Sequence, residues 1–287
     1  MKKVISLALG MLLAVTVLAQ SKIVTESMQS KYLGCEQKYN VYLPDGYDPC
    51  KTYPVIYLLH GLWGNYSDWV KLGGMKIVTD ELIGTGELRP VVIVMPNAGD
   101  EDVHTYQNGY FNVENWPYED FFFQEFLPMV EKKFACGGSK GRRAVMGLSM
   151  GGGGSIAYAQ RHPELFSSSY GMSAWLDNKH REVRGTDIPD SKLILTDKAV
   201  REHSALDFMD RADAATIERL KTVEWFLDCG DDDSLMSLSV ELYLKMKKAG
   251  LHSELRVRNG AHTWEYWHTA LRLSLPFASR NFTVNEN

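Results

Sequence analysis

The segment AVMGLSMGGGGS, residues 144–155, surrounds Ser149 with glycine. Within it, Gly147-Leu148-Ser149-Met150-Gly151 has the spacing G-x-S-x-G, which exposes a serine hydroxyl on a sharp turn between a strand and a helix. Side chains at the two flanking glycine positions would collide across such a turn, so both positions require glycine. Because a serine presented in this way can attack a carbonyl carbon once a base removes its proton, the spacing predicts Ser149 as a nucleophile.

A serine nucleophile needs a base, and the base needs an acid that orients it; in this topology the acid and then the histidine follow the serine. We predict His262 as the base, since it lies in a loop of small residues after a predicted strand. Asp231, Asp232 and Asp233 follow the preceding predicted strand, and all three are candidates for the acid. We favour Asp233, which lies furthest into the loop and just before a predicted helix whose N–H groups would hold a carboxylate.

Two backbone N–H groups must stabilise the oxyanion that forms when serine adds to an ester. Met150 supplies one of them by its position after the nucleophile. Leu62 is predicted to supply the other, because Gly61 lets the preceding loop turn toward the site. His60 in the same loop comes before the nucleophile in the chain, so we predict a structural role for it.

The predicted elements that must position these residues alternate between strands and helices. Apolar or β-branched strands are predicted at 40–43, 53–61, 90–97, 142–149, 167–175, 223–230 and 253–260. Helices are predicted at 118–134, after Ser149, near 211–221, at 234–249, and from Thr263 to a break near Pro276. This order predicts an α/β fold with a mostly parallel central sheet and helices on both faces.

The composition and the first residues of the chain restrict the class of protein. The chain has 287 residues, of which 45% are hydrophobic, and a formal net charge of −5 with no basic stripe, so binding of nucleic acid is not expected. Residues 1–19 show two lysines, an apolar stretch and a small-residue cleavage point, which is typical of a signal peptide. We therefore expect a secreted or periplasmic protein with a single domain over residues 20–287 and no membrane contact after cleavage.

The four cysteines of the chain do not have the spacing of a zinc site. Export permits disulfides, and four cysteines allow three pairings that the sequence does not rank. Cys35 and Cys50 are closest in the chain and flank a predicted strand, so they are the preferred pair.

Seven stretches spread over about residues 36–270 resemble the esterase D and feruloyl esterase family of α/β-hydrolases: YLPDGYD, YPVIYLLHGLWGNYSDW, VVIVMPN, GLSMGG, RHPELF, CGDDDSL and NGAHTWEYW. The resemblance implies an α/β-hydrolase fold and no metal or organic cofactor. It implies the triad Ser149, Asp233 and His262, with Leu62 and Met150 as oxyanion donors. One departure is Gly153, where the family usually has a bulky or aromatic residue, and it affects the expected floor of the pocket.

The resulting hypothesis is a secreted serine carboxylic-ester hydrolase that works through an acyl-enzyme and removes short acyl or feruloyl groups from carbohydrate esters. An acyltransferase or peptidase of the same fold, and a non-catalytic carbohydrate-binding relative, are the alternatives. The sequence leaves open the acyl group, the alcohol and the oligomeric state.

Aromatic side chains in the predicted site loops would suit a phenolic acyl group or the face of a sugar. The predicted substrate contacts are Trp63, Trp175 and Trp264, and the other aromatic residues of these loops are Tyr66, Tyr110 and Trp116. The loop-rich stretch 176–211 is too short for a large cap, so we expect an open cleft with little or no lid.

Overall fold

The computed structural model describes residues 20–99, 109–178 and 192–283, with the side chains of residues 192–194 left out. The predicted signal peptide, residues 1–19, lies outside these ranges. The described strands are β1 (Lys22–Gln29), β2 (Glu36–Leu43), β3 (Val55–Leu59), β4 (Val92–Pro96), β5 (Asn112–Val113), β6 (Trp116–Pro117), β7 (Arg143–Leu148), β8 (Ser168–Met172), β9 (Glu224–Gly230) and β10 (Ser253–Arg258).

Helices connect most of these strands. They are α1 (Asp68–Lys71), α2 (Met75–Thr85), α3 (Tyr118–Asp120), a π-helical segment (Phe121–Phe126), α4 (Leu127–Lys133), a 3₁₀ turn (Lys140–Arg142), α5 (Ser149–Arg161), α6 (Lys192–Glu202), α7 (Ala205–Arg211), α8 (Ala214–Leu220), α9 (Met236–Lys248) and α10 (Trp264–Arg280). Within the described ranges, none of these helices combines the length and the apolar character needed to cross a bilayer.

Eight strands form one sheet in the order β1-β2-β4-β3-β7-β8-β9-β10. The pairs β1–β2 and β2–β4 are antiparallel, whereas all pairings from β4 through β10 are parallel. Strands β5 and β6 form a separate antiparallel pair. The carboxyl ends of β3, β7, β8, β9 and β10 therefore share one edge, which is where an open α/β sheet binds ligands.

Strand β3 shows that the sheet is covered on both faces. Val55, Tyr57 and Leu59 belong to one apolar core, which includes side chains of α4, α5 and α9. Ile56 and Leu58 belong to a second core, with side chains of α2 and α10. Successive side chains of a strand point to opposite faces, so a continuously apolar strand requires two covering layers. The predicted mostly parallel sheet with helices on both faces is confirmed.

Two predicted features of the helices are wrong. Helix α10 runs through Pro276 to Arg280 without the predicted break. Leu275 and Phe277 beside the proline are buried, and burying each such side chain contributes about 1.5–3 kcal/mol, which offsets a cost of about 3 kcal/mol for proline inside a helix.

The stretch 176–211, predicted to be loop-rich, contains helices α6 and α7. Side chains of both helices are buried in the larger core, among them Val200, Leu206 and Met209. Residues 179–191 of this stretch lie outside the described residues.

The preferred disulfide is also wrong, since all four cysteines are free. Cys35 precedes β2 and Cys50 follows it. An eight-residue strand spans roughly 26 Å, whereas a disulfide joins Cα atoms about 4.4–6.8 Å apart. The six residues between the end of β2 and Cys50 do not bring the two thiols together, since both are free.

A buried carboxylate joins the last strands of the sheet to α10. Asp228 on β9 is completely buried and accepts a hydrogen bond from the Tyr170 hydroxyl on β8 (2.9 Å) and another from Arg258 Nη2 on β10 (2.9 Å). The Tyr266 hydroxyl on α10 donates to its other oxygen. Burial opposes the charge of Arg258, but its hydrogen bonds to Asp228 raise the Arg258 pKa and keep the guanidinium charged. This cluster fixes the loops that follow β9 and β10.

We predict that Asp228→Asn lowers the free energy of unfolding by about 3 kcal/mol, because it leaves the Arg258 guanidinium without its counter-charge. Urea unfolding measures this difference. Glu254→Gln, which breaks the more exposed pair with Arg280, is the control and should cost less than about 1 kcal/mol. Equal costs for the two substitutions would contradict the role given to Asp228.

Candidate active site

Ser149 lies where β7 meets α5, and its φ of 53° is in the left-handed region that non-glycine residues seldom adopt. A Cβ atom at Gly147 would lie 2.5 Å from the Gly151 carbonyl oxygen, and one at Gly151 would lie 2.5 Å from the His60 carbonyl oxygen. Backbone contacts therefore require glycine at both flanking positions, as the spacing predicts.

The glycines after the G-x-S-x-G segment bring a second loop onto the helix. A Cβ atom at Gly153 would lie 2.0 Å from the Trp175 carbonyl oxygen, and one at Gly152 would lie 2.9 Å from the Met172 carbonyl oxygen. The Trp175 N–H also donates to the Ser149 carbonyl (2.9 Å). The departure at Gly153 therefore lets the chain after β8 pack directly on the first turn of α5.

The His262 imidazole lies between the other two residues of the predicted triad. Its Nε2 is 2.9 Å from Ser149 Oγ, and its Nδ1 is 2.8 Å from Asp233 Oδ2. An ionised carboxylate only accepts hydrogen bonds, so Nδ1 carries the proton and Nε2 is left to accept one from the serine. The structure thus brings together three residues that lie on different loops.

The environment of Asp233 favours the charged carboxylate. Burial raises its pKa, but the hydrogen bonds from His262, from the Leu235 N–H (2.9 Å) and from the Ser173 hydroxyl outweigh burial and leave the Asp233 pKa below its ordinary value. A carboxylate that stays ionised at neutral pH can orient the imidazole and stabilise its protonated form.

The two alternative acids do not contact the imidazole. Asp231 accepts the Gly260 N–H at 2.9 Å and so ties together the loops after β9 and β10. Asp232 is exposed. Of the three candidates, only Asp233 has a carboxylate within hydrogen-bond distance of His262.

Two residues of the site, Ser173 and Trp267, are not among those predicted from the sequence. Ser173 is completely buried, with a φ of 46°, just after β8. The Trp267 indole N–H donates to its hydroxyl oxygen (3.1 Å). Because that oxygen accepts from Trp267, its own hydrogen remains available for Asp233, in line with the lowered Asp233 pKa.

Trp267 also fixes the imidazole from the side. The two rings are perpendicular, and their centroids lie 4.8 Å apart. Thr263 caps α10 by accepting the Tyr266 N–H, so His262 occupies the position before the cap and Trp267 the fourth helical position. Contact between these two positions is a recognised feature of helix starts, the hydrophobic staple. The capping threonine is therefore the signal in the sequence that could have revealed this contact.

The loop after β3 passes next to the nucleophile. A Cβ atom at Gly61 would lie 3.5 Å from Ser149 Cβ, so the backbone that leads into Leu62 borders the serine side chain. Met150 occupies the second position of α5, where backbone N–H groups have no partner inside the helix. Leu62 lines the same cavity as Ser149, and Met150 directly follows Ser149 in the chain.

His60 has the structural contacts predicted for it. It is buried, its Nδ1–H donates to the Gly61 carbonyl (2.8 Å), and its Nε2 accepts the Ala98 N–H (3.0 Å). Burial lowers the pKa of His60 to about 4. The ring is therefore neutral at pH 7 and holds the loop that carries Leu62.

A cavity of about 1080 Å³ opens over Ser149 and His262. The three tryptophans predicted to contact substrate, Trp63, Trp175 and Trp264, all line it. The other aromatic residues of the predicted site loops do not: Tyr66, Tyr110 and Trp116 are absent from the lining, and the last two are buried. In the part of the chain that the structure describes, no three His, Cys, Asp or Glu side chains form a group that could hold a metal ion.

The lining of the cavity includes an apolar set and a polar set of side chains. The apolar set is Trp63, Leu72 and Trp264, from the loop before α1, the end of α1 and the start of α10; the polar set is Asp177, Asn178 and Asp197, from the chain after β8 and from α6. We call the first set the rim platform and the second set the polar wall.

Comparison with known proteins is consistent with this geometry. Residues 30–278 match the model of the Esterase family. A solved structure of a ferulic acid esterase is 43% identical and has a TM-score of 0.88, covering 92% of this chain and 99% of that chain. The feruloyl esterase module from Clostridium thermocellum in complex with sinapinate is 21% identical and has a TM-score of 0.69, with coverage of 94% and 92%, which shows the shared fold.

Among curated proteins, the endo-1,4-beta-xylanase/feruloyl esterase of Xylanibacter ruminicola is 34% identical over 142 residues, which are 48% of this chain and 19% of that protein. The match thus spans about a fifth of that relative's length. The family model covers residues 30–278, and the ferulic acid esterase structure covers 92% of this chain. The chain belongs to the Esterase family and has the α/β-hydrolase fold.

Proposed function

We propose that this chain is a serine carboxylic-ester hydrolase whose catalytic triad is Ser149, His262 and Asp233. The observation that carries the proposal is the 2.9 Å separation of His262 Nε2 and Ser149 Oγ at the base of an open cavity. The membership of the chain in the Esterase family also supports hydrolysis of carboxylic esters.

The reaction begins when Ser149 Oγ attacks the ester carbonyl carbon while His262 Nε2 takes the hydroxyl proton. The carbonyl oxygen becomes an oxyanion and accepts hydrogen bonds from the N–H groups of Leu62 and Met150. When the tetrahedral intermediate collapses, the bond to the alcohol oxygen breaks and His262 gives that oxygen its proton. The alcohol leaves, and the acyl group remains on Ser149.

Hydrolysis of the acyl-enzyme repeats these steps with water. His262 takes a proton from the water as its oxygen attacks the acyl carbon, and then returns the proton to Ser149 Oγ as the carboxylic acid leaves. The Asp233 carboxylate stabilises the imidazolium in both halves of the reaction. Asp233 is buried and holds its charge, so this stabilisation is present before substrate binds.

As substrates we propose short acyl or feruloyl esters of carbohydrates. The 43% identical structure is a ferulic acid esterase, and the cavity is lined in part by aromatic side chains, which suit a phenolic ring. The signal-peptide pattern of residues 1–19 supports a secreted or periplasmic enzyme that acts as one domain over residues 20–287.

We predict that Ser149→Ala lowers the rate of hydrolysis of p-nitrophenyl acetate by at least about 10⁴-fold, since alanine has no hydroxyl to attack the ester. Steady-state kinetics give the rate, and circular dichroism shows whether the fold is kept. A folded variant with wild-type activity would contradict the proposed function.

We predict that Asp233→Asn lowers kcat by about 10⁴-fold, because an amide no longer fixes the Nδ1–H tautomer of His262. Asp232→Asn removes a neighbouring charge without touching the imidazole, so it is the matched control and should change kcat less than about twofold. The choice of acid is wrong if Asp232→Asn has the larger effect.

A further inference from the structure

Trp63 has a backbone conformation that few tryptophans adopt. The Gly64 N–H donates to the Gly61 carbonyl (3.1 Å) and closes a four-residue turn. Trp63 is the third residue of this turn and has a φ of 63°, a conformation that favours glycine or asparagine. Its side chain is 45% exposed, so burial in the core does not explain why a bulky residue is held there. Strain of this kind concentrates at functional sites.

Trp63 faces the cavity together with the other two residues of the rim platform. Leu72 is 55% exposed. Trp264 is held by perpendicular ring contacts with Trp69 and Trp267, whose centroids lie 5.4 and 5.3 Å away. The rim platform is therefore an apolar surface, open to solvent in part and fixed by packing behind it, as a ligand-binding surface requires.

Proton transfer indicates which half of an ester this surface meets. His262 Nε2 must reach the alcohol oxygen to protonate it, so the alcohol half lies on the side of His262. Thr263 and Trp264 follow His262 directly and line that side of the cavity. The acyl half extends the other way, toward Trp175 and the polar wall. This assignment rests on the proposed function.

A carboxylate borders the same part of the cavity. Asp68 lines it, and Asp68 Oδ2 accepts the Asn65 N–H at 3.1 Å. A carboxylate has about four acceptor positions, so this hydrogen bond leaves Asp68 capacity to accept from a ligand hydroxyl. An aromatic face beside a hydroxyl acceptor matches a sugar ring, which has an apolar C–H face and a polar edge.

We propose that the rim platform binds the sugar ring of the alcohol half and that Trp63 makes the chain selective for esters of carbohydrates over esters of simple alcohols. The strained turn at Trp63 holds the indole over the alcohol, one residue from the oxyanion donor Leu62. Simple alcohols such as methanol are too small to reach the platform.

The test uses two esters with the same acyl group, methyl ferulate and a feruloyl ester of a pentose. Trp63→Ala should lower kcat/KM for the sugar ester at least tenfold more than it lowers kcat/KM for methyl ferulate. Trp63→Phe keeps a ring and should retain most of the preference. Ile77→Ala, which alters an exposed side chain outside the cavity lining, is the control and should change neither value.

Leu72→Ala supplies a second readout, since Leu72 belongs to the rim platform but not to the turn that carries Leu62. It should lower kcat/KM for the sugar ester selectively, by about threefold or more. Equal losses on both esters in the Trp63→Ala and Leu72→Ala variants, or no loss on either ester, would overturn the proposal. Failure of the proposed function is distinct from both outcomes, because the unmodified enzyme would then hydrolyse neither ester.

Discussion

The site depends on one strained residue, Ser149, whose backbone is held in the left-handed region by the segments packed around it. Such a conformation costs about 1–3 kcal/mol and persists only where the surroundings leave no alternative. Here the carbonyl groups of β3 and its following loop approach Gly151, and the chain after β8 rests on Gly152 and Gly153. The glycine run is the condition for this packing, and the packing determines where the hydroxyl points.

The partners of Ser149 come from loops whose positions are fixed independently. Parallel pairing of β8, β9 and β10 sets the loops side by side, and the buried Asp228 cluster joins these strands to α10. The hydrogen bond of Asp231 to Gly260 then ties the two loops together. Because Trp267 contacts both the imidazole and Ser173, the start of α10 orients the base and supports the hydrogen bonding of Asp233.

The sequence predicted the parts of the structure that have strong local signals. Continuous apolar strands, the spacing around Ser149 and the chain order of Asp233 and His262 were sufficient for seven of the eight strands of the sheet and for the candidate triad. Prediction failed where long-range packing decides the outcome. Helix α10 passes through Pro276 because its neighbours are buried, and the edge strand β1 has no run of apolar residues that would mark it.

The role of Ser173 could not be predicted from the sequence, for a different reason. Its part in the site comes from a left-handed backbone just after β8 and from a tryptophan 94 positions later in the chain. Neither the backbone conformation nor the contact with a distant residue leaves a local pattern in the sequence. Helices α6 and α7 were likewise not predicted, because their sequences are mostly polar. Only a minority of their side chains are buried in the core.

In the proposed reaction His262 makes Ser149 the reactive hydroxyl of this chain. Reaction with a fluorophosphonate followed by peptide mapping by mass spectrometry tests this role, because the reagent adds to serines activated by a neighbouring base. We expect an adduct on Ser149 alone in the unmodified protein, and labelling at least about 10³-fold slower in His262→Ala. An adduct on another residue, or undiminished labelling of the His262→Ala variant, would contradict it.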